Sequence, residues 1–483
     1  MINGRLISKI LGLLLLVESL FLVFSAGVSL CYGEDDLEAF LYAALINAIC
    51  GSLAWVIGWN AEKKFTPRDG YFVVTVTWIL CSLAGMLPFY IGGYVPTVAD
   101  GYFECMSGFT STGFTVMNDI DSLPHGILFW RAFTQWIGGL GIVFFTIAVL
   151  PFLGVTGVQL FAAEATGPTK DKLHPRIGVT ARWIWGLYLG LTLAETLLLM
   201  LGGMSFFDSI CHSFSTTATG GFSTHQANIA YYHSPYIEYV ISTFMFLSGV
   251  NFITLFLFLK GKHKKLLQHD EFKWYLNSTI ICVLFTSVLL YFSSDRTMED
   301  AFRKALFQIT SVHTSTGFTT ENFALWPTPI WAVLLFLMIS GASSGSTSGG
   351  VKCVRLSILL RTVRNEFRRI VHPNAVLPVR INKHPLSSNV LVTSLILILL
   401  FGVIAALCTY LIMEMNVSFI GAVSFVLSCM GNTGVGLGEF GPAYTCSSLS
   451  ETGKWLGSFL MLLGRLELFT VLLLFTPQFW NKR

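Results

Sequence analysis

The sequence predicts an all-α integral membrane protein in which four parallel repeats of helix, pore loop and helix surround a pseudo-four-fold pore. Two extra transmembrane helices precede the repeats. Hydrophobic residues make up 53% of the 483 residues and charged residues only 12%, whereas a soluble chain averages about 25% charged residues. A short Thr/Gly segment also recurs four times, with its central glycines 108, 96 and 117 residues apart.

Ten apolar stretches are long enough to cross a bilayer, which takes roughly 20 residues each. The first is too long for the core of a signal peptide and has no clear cleavage site, so we interpret it as a retained helix. We predict two initial helices and then four pairs of spans: 8–31 and 38–60; 71–91 and 128–153; 180–203 and 236–260; 274–293 and 328–361; 388–413 and 453–477.

Each pair of spans encloses a stretch that is too short to cross the membrane and that ends at one of the Thr/Gly segments. Non-helical backbone at membrane depth is tolerated only where it is buried in protein or lines water, so we expect re-entrant half-helices beside a pore. They lie at 99–110, 206–218, 299–314 and 417–431. The resulting units are 1–66 for the two N-terminal helices and 67–175, 176–268, 269–385 and 386–483 for the four repeats.

The distribution of charge predicts the orientation. With both termini cytoplasmic, 24 of the 30 Lys and Arg residues lie inside, as the positive-inside rule requires. This orientation places the four Thr/Gly segments and 17 of the 27 acidic residues outside. We interpret the inner bases as determinants of topology. Two interpretations of the outer acids are open: they attract cations to the pore mouth, or they have no role in transport.

The repeated segments are candidate selectivity-filter residues. Backbone carbonyls that point into a pore replace the water shell of a cation, as the four loops of a potassium channel do. Glycine permits the positive φ that turns successive carbonyls the same way, and the C-terminal end of each half-helix favours a cation. The predicted ion-binding residues are Ser111, Thr112, Gly113, Thr219, Gly220, Gly221, Ser315, Thr316, Gly317, Asn432, Thr433 and Gly434.

A single Thr/Gly turn would be interpreted as an ordinary turn at the end of a helix. Four copies, each between a half-helix and a full span, favour a filter. The copies are not identical. Gly220 stands where the other copies have threonine, and Val435 stands where they have phenylalanine. We therefore expect a pore that is less symmetric and less stringent than that of a true tetramer.

This arrangement resembles the Trk/Ktr/HKT superfamily of potassium transporters, and it looks most like the bacterial TrkH-type pore-forming subunit. The resemblance covers the whole chain. Besides the four filter segments, the segments that carry it are Gln135–Gly141, Ser248–Phe252, Gly341–Gly350 with Lys352, and Gly464–Arg465. In plant relatives, serine at the first filter glycine accompanies sodium passage, so Gly113 implies a preference for potassium.

Residues 341–350 are all Gly, Ala, Ser or Thr and lie inside a predicted pore-lining span. Each glycine costs about 1 kcal/mol in a helix interior relative to alanine, so we predict a broken helix that forms an intramembrane gating loop. The alternative is a small-residue face for close helix packing. The candidate gate residues in the loop are Gly341, Gly345, Gly349 and Gly350.

Arg465 lies near the middle of the last predicted span, where a charge is costly and should face water or a partner. We predict that it faces the pore below the filter and binds the 341–350 loop as a barrier and latch, an assignment that the resemblance supports. Glu467 is two residues away and does not share its helix face. A structural pair with Glu195 or another acid is the alternative. Asn251 is interpreted as either a polar pore residue or a residue that hydrogen-bonds one helix to another. His212 is a lone histidine in a half-helix, and we do not include it among the candidate site residues.

The predicted function is potassium uptake through the filter, with potassium as the bound substrate and no cofactor in this chain. The resemblance implies a homodimer in the bacterial inner membrane, regulated by a cytosolic, nucleotide-binding, TrkA-like subunit, to which the basic loops at 260–273 and 352–384 would dock. Those loops would also contact anionic lipid; no nucleic acid is expected. A potassium symporter coupled to H⁺ or Na⁺ is the alternative. A rocking transporter is disfavoured by the parallel repeats, and an enzyme by the lack of a catalytic motif in the spans.

Overall fold

The computed structural model describes residues 3–62, 65–141 and 177–481. Within these ranges the chain is mostly helical, and its two short strands, β1 (Arg380–Ile381) and β2 (His384–Pro385), form one antiparallel pair. Six of the described helices are long and apolar enough to cross a bilayer, and the number rises to eight if each of two bent helix pairs is one span.

The first two helices of the described chain are α1 (Gly4–Tyr32) and α2 (Leu37–Ile57). They pack along each other, and the Ser19 hydroxyl of α1 donates a hydrogen bond of 2.7 Å to the Ala44 carbonyl of α2. This bond satisfies a polar group at membrane depth, where no water is available.

The remaining helices fall into four successive groups, each with a first helix, a short helix and a second helix. The groups are α3 (Pro67–Gly85), α4 (Leu87–Ile91), α5 (Val98–Phe109) and α6 (His125–Leu140); α7 (Ile177–Leu201), α8 (Phe206–Thr217), α9 (Pro235–Ser248) and α10 (Phe252–Leu259); α11 (His263–Gln268), α12 (Asp270–Ser293), α13 (Met298–His313), α14 (Thr328–Ser340) and α15 (Cys353–Val371); α16 (Ser388–Met413), α17 (Phe419–Gly431), α18 (Glu451–Arg465), α19 (Glu467–Leu472) and α20 (Pro477–Trp480).

The bounds of the short helices α5, α8, α13 and α17 lie within two residues of those predicted for the four half-helices. All four begin in the same way. A Ser or Thr side chain accepts a hydrogen bond from the backbone N–H three residues later, which satisfies one of the free donors at the helix start. These capping residues are Thr97, Ser205, Thr297 and Ser418.

The continuous span predicted at 236–260 is wrong. Helix α9 ends at Ser248, and α10 begins at Phe252 after a bend of 108°. The side chain of Asn251 caps the N-terminus of α10 by accepting hydrogen bonds from two backbone N–H groups. The hydropathy of the segment does not reveal this break because apolar residues continue on both sides of it.

The continuous span predicted at 453–477 is also wrong, since α18 and the segment that follows it are bent by 111°. Glu467, just after the break, has a positive φ of 52°. Its carboxylate pairs with the guanidinium of Arg355 in α15 at 2.5 Å. An ion pair to a distant helix therefore accompanies the bend, and the local sequence gives no indication of the bend.

The span predicted at 328–361 is interrupted, as its glycines indicate: α14 ends at Ser340 and α15 begins at Cys353. In the first repeat, α6 ends at Leu140 and Gly141 has a φ of 46°. The rest of the span predicted at 128–153 lies outside the described residues.

Candidate functional site

The four Thr/Gly segments share one backbone conformation. The residue two positions before each central glycine has a φ between 51° and 56°, and the glycines themselves have φ values of 76–102°. Such values are uncommon for residues other than glycine, so their recurrence is not a property of ordinary turns. The non-glycine residues with this conformation are Ser111, Thr219, Ser315 and Asn432.

The four segments contact one another in a closed ring. A Cβ placed on any central glycine would lie 2.0–2.2 Å from the carbonyl oxygen of the residue before the next central glycine, which no side chain tolerates. The contacts run from Gly113 to the carbonyl of Gly220, from Gly221 to Thr316, from Gly317 to Thr433, and from Gly434 to Thr112. We call these four carbonyl oxygens, of Thr112, Gly220, Thr316 and Thr433, the carbonyl ring.

The ring is suited to a dehydrated monovalent cation, because carbonyl oxygens are the ligands that replace its water shell. Among the described residues, no group of three or more His, Cys, Asp or Glu side chains is placed to hold a metal ion. The donor set is thus made of backbone and hydroxyl oxygens. The threonine hydroxyls beneath the ring are partly paired, since Thr110 lies 2.8 Å from Thr112 and Thr314 lies 2.7 Å from Thr316.

A side chain from another helix replaces the missing threonine of the second copy. The Gln135 amide of α6 donates a hydrogen bond of 2.8 Å to the Gly220 carbonyl and accepts one of 3.1 Å from the Phe222 N–H. The irregularity at Gly220 is visible in the sequence, but the compensating role of Gln135 was not predicted from it. A glutamine in an apolar span was the available signal.

A buried ion pair joins the first and second copies. Arg131 and Glu104 are 1% and 0% exposed and lie 2.9 Å apart. The Glu104 carboxylate also accepts a hydrogen bond from the Val116 N–H, and Arg131 donates one to the Ser223 carbonyl. The burial of the Arg131 guanidinium is possible because the Glu104 carboxylate neutralises its charge.

The equivalent position in the second copy holds His212. Glu104 and His212 each lie seven residues before the positive-φ residue of their copy. The His212 ring is 3.0 Å from the Ser223 hydroxyl, and Glu104 contacts the corresponding Thr115 hydroxyl at 3.0 Å. His212 thus supports the segment that follows Gly221.

The loop at 341–350 lies against the third Thr/Gly segment and the last residue of α8. The Gly349 N–H donates a hydrogen bond of 2.6 Å to the Ser315 hydroxyl, and the Thr347 hydroxyl donates one of 3.2 Å to the Thr217 carbonyl. At its other end, the amide of Asn251 donates to the Ser344 carbonyl at 2.6 Å. Asn251 therefore both caps α10 and holds the loop, a role that sequence reasoning left open.

Arg465 contacts this loop and a second element. Its guanidinium donates a hydrogen bond of 3.0 Å to the Thr347 carbonyl and one of 2.9 Å to the Gly139 carbonyl, and it also bonds the Gly138 carbonyl. The predicted contact with the 341–350 loop is therefore present. The end of α6, which sequence reasoning did not include, is its second partner.

An exposed acidic residue, Glu439, follows the fourth Thr/Gly segment. It lies five residues after Gly434. The hydroxyl of Ser418 donates a hydrogen bond of 2.7 Å to its carboxylate. This bond holds the pKa of the Glu439 carboxyl below its usual value, so the group stays negatively charged at neutral pH.

Known proteins resemble this chain over nearly its whole length. A family model described as TrkH, cation transport protein, matches residues 37–482. The chain is 37% identical over 487 residues to the Trk system potassium uptake protein TrkH of Escherichia coli strain K12, with 99% of each chain covered. It is 32% identical over 480 residues to the Trk system potassium uptake protein TrkG of the same strain, also with 99% of each chain covered. The crystal structure of the potassium transporter TrkH from Vibrio parahaemolyticus matches it with a TM-score of 0.89 and 35% identity, over 99% of both chains.

Proposed function

The chain belongs to the TrkH family of cation transport proteins, and from this we propose that it takes up potassium across a bacterial inner membrane through the carbonyl ring. The relatives named above are potassium uptake proteins over the same length. Both termini would be cytoplasmic. The filter segments would then face the outer side of the membrane, and ions would enter the pore from that side.

The carbonyl ring is the observation that carries this proposal. Four backbone segments meet at their glycines with a spacing that excludes any side chain. Such a ring supplies oxygens at a distance set by backbone packing and adds no net charge, which suits a monovalent ion that must also leave. In this proposal the four repeats surround a pseudo-four-fold pore. The selectivity filter consists of the twelve predicted residues, at 111–113, 219–221, 315–317 and 432–434.

Control of the pore is assigned to the 341–350 loop and Arg465. The loop lies against Ser315 in the third filter segment and against Thr217, the last residue of α8. Arg465 holds it to the end of α6. A guanidinium next to the conduit repels cations, and opening would require these hydrogen bonds to break.

The proposed partners are a second copy of the chain and a cytosolic nucleotide-binding subunit of the TrkA type. The relatives are described as parts of a Trk system. Helix α15 ends in a basic surface that includes Arg364, Arg368 and Arg369, which suits an acidic protein surface or anionic lipid headgroups.

Uptake of rubidium-86 into liposomes that contain the full chain tests the proposal. We expect excess unlabelled potassium to block uptake and equal sodium or lithium to leave it largely intact. Equal block by sodium would contradict a potassium preference, and uptake that potassium does not reduce would contradict the function. A rise in uptake with an inward proton or sodium gradient, at constant membrane potential, would favour the symport alternative.

A further inference from the structure

The side chain of Gln135 occupies the place of the missing threonine in the second copy. A Cβ on Gly220 would lie 2.4 Å from the Cδ atom of Gln135 and 2.6–2.8 Å from its amide oxygen and nitrogen. Gln135 is completely buried. Position 220 must therefore be glycine, because the Gln135 side chain fills the space that a threonine side chain would take.

The orientation of this amide is determined by its two partners. Its nitrogen faces the Gly220 carbonyl and its oxygen faces the Phe222 N–H, and the reverse orientation would set donor against donor and acceptor against acceptor. The two bonded residues flank Gly221, whose φ is 79°. One side chain thus fixes the peptide groups on both sides of the second filter glycine.

The bonded carbonyl is a member of the carbonyl ring, since the oxygen of Gly220 is the one packed against Gly113. Within the described residues, the carbonyls of Thr112, Thr316 and Thr433 accept no hydrogen bond. Gly220 therefore differs from the other three members in two respects. A donor N–H lowers the negative potential at its oxygen, and the bond restricts its movement towards the axis.

We propose that Gln135 is a positioning residue that sets the preference of the carbonyl ring for potassium over sodium. Sodium is the smaller and more strongly hydrated ion, so it binds well only where the carbonyls move inward and present a strong field. The Gln135 amide opposes both changes at one of the four oxygens. The inference rests on the proposed function, because it assigns the ion specificity of the same ring.

The test measures ion binding in a way that does not depend on an open gate. Any ligand that binds the folded state raises its melting temperature, so potassium and sodium are titrated against the thermal unfolding of the purified full chain. Gln135→Met removes both hydrogen bonds and keeps the volume filled. Gln135→Ala combined with Gly220→Thr fills it instead with the side chain that the other copies carry.

For each ion we measure the concentration that gives half-maximal stabilisation. In both variants we expect the ratio of the sodium value to the potassium value to fall roughly three- to tenfold, which is the effect of losing one net hydrogen bond. The control Gln226→Met removes an exposed side-chain amide whose oxygen accepts a hydrogen bond from the Ile120 N–H, and it should keep the wild-type ratio. An unchanged ratio in either folded variant would overturn the role of Gln135. Stabilisation of the wild type by neither ion would instead overturn the proposed filter, and with it this inference.

Discussion

The guanidinium of Arg465 donates a hydrogen bond of 3.0 Å to the carbonyl oxygen of Thr347, across 118 residues of sequence. The same side chain bonds the Gly139 carbonyl at the end of α6. One charged group at the end of α18 therefore contacts both the 341–350 loop and the end of α6. The guanidinium also lies over the Trp78 ring, 5.6 Å from its centroid.

Arg465→Ala should increase potassium flux. Removing a positive charge near the conduit lowers the electrostatic barrier to a cation. We expect about tenfold more uptake, which corresponds to about 1.4 kcal/mol. Rubidium-86 uptake per mole of reconstituted protein measures the effect. Arg369→Ala, at an exposed pair with Glu366, is the matched control. Unchanged flux in well-folded Arg465→Ala would show that the arginine is not the barrier.

Gly113→Ser should reduce discrimination against sodium. Gly113 has a φ of 102°, and a Cβ there would lie 2.2 Å from the Gly220 oxygen, so the ring must expand. We expect roughly a tenfold loss of potassium preference, equivalent to about 1.4 kcal/mol between the two ions, in sodium competition of rubidium uptake. Gly186→Ser is the control because a Cβ there meets nothing within 4 Å. Retained preference in Gly113→Ser would argue against the filter.

Glu104→Gln or Arg131→Met should destabilise the protein strongly. Each leaves an uncompensated buried charge, at a cost of about 3–5 kcal/mol, whereas the double variant should lose less than the sum. Thermal unfolding in detergent measures this. Glu366→Gln, which breaks an ion pair whose side chains are more than half exposed, should leave the melting temperature unchanged. Additive losses in the double variant would mean that the pair is not coupled.

Glu439→Gln should lower the initial rate of uptake at low ionic strength and have no effect at high salt, because exposed charges act only within the Debye length, about 10 Å at 0.1 M. The lowered pKa of Glu439 keeps its carboxylate charged as the pH falls. The difference from wild type should therefore persist from about pH 7 to about pH 5 and disappear only below the usual range for Glu, about 4.3. A salt-independent loss would indicate a structural role.

Local sequence determined a large part of this molecule. The half-helices begin at Ser or Thr caps such as Thr97 and Ser418, and capping depends on a few adjacent residues. The break at 341–350 follows from its glycines, whose cost in a helix is also local. The four glycines of the ring, including Gly113 and Gly434, were recognisable because the same short pattern returns after similar intervals.

Other features were decided only by tertiary structure. The support of Gly220 by Gln135 joins residues 85 positions apart, and the bend before Glu467 accompanies an ion pair to Arg355, 112 positions away. Hydropathy records how apolar each residue is but not which polar groups face one another. Inside a membrane a polar side chain must find its partner within the protein, and that partner is defined only when distant segments are brought together.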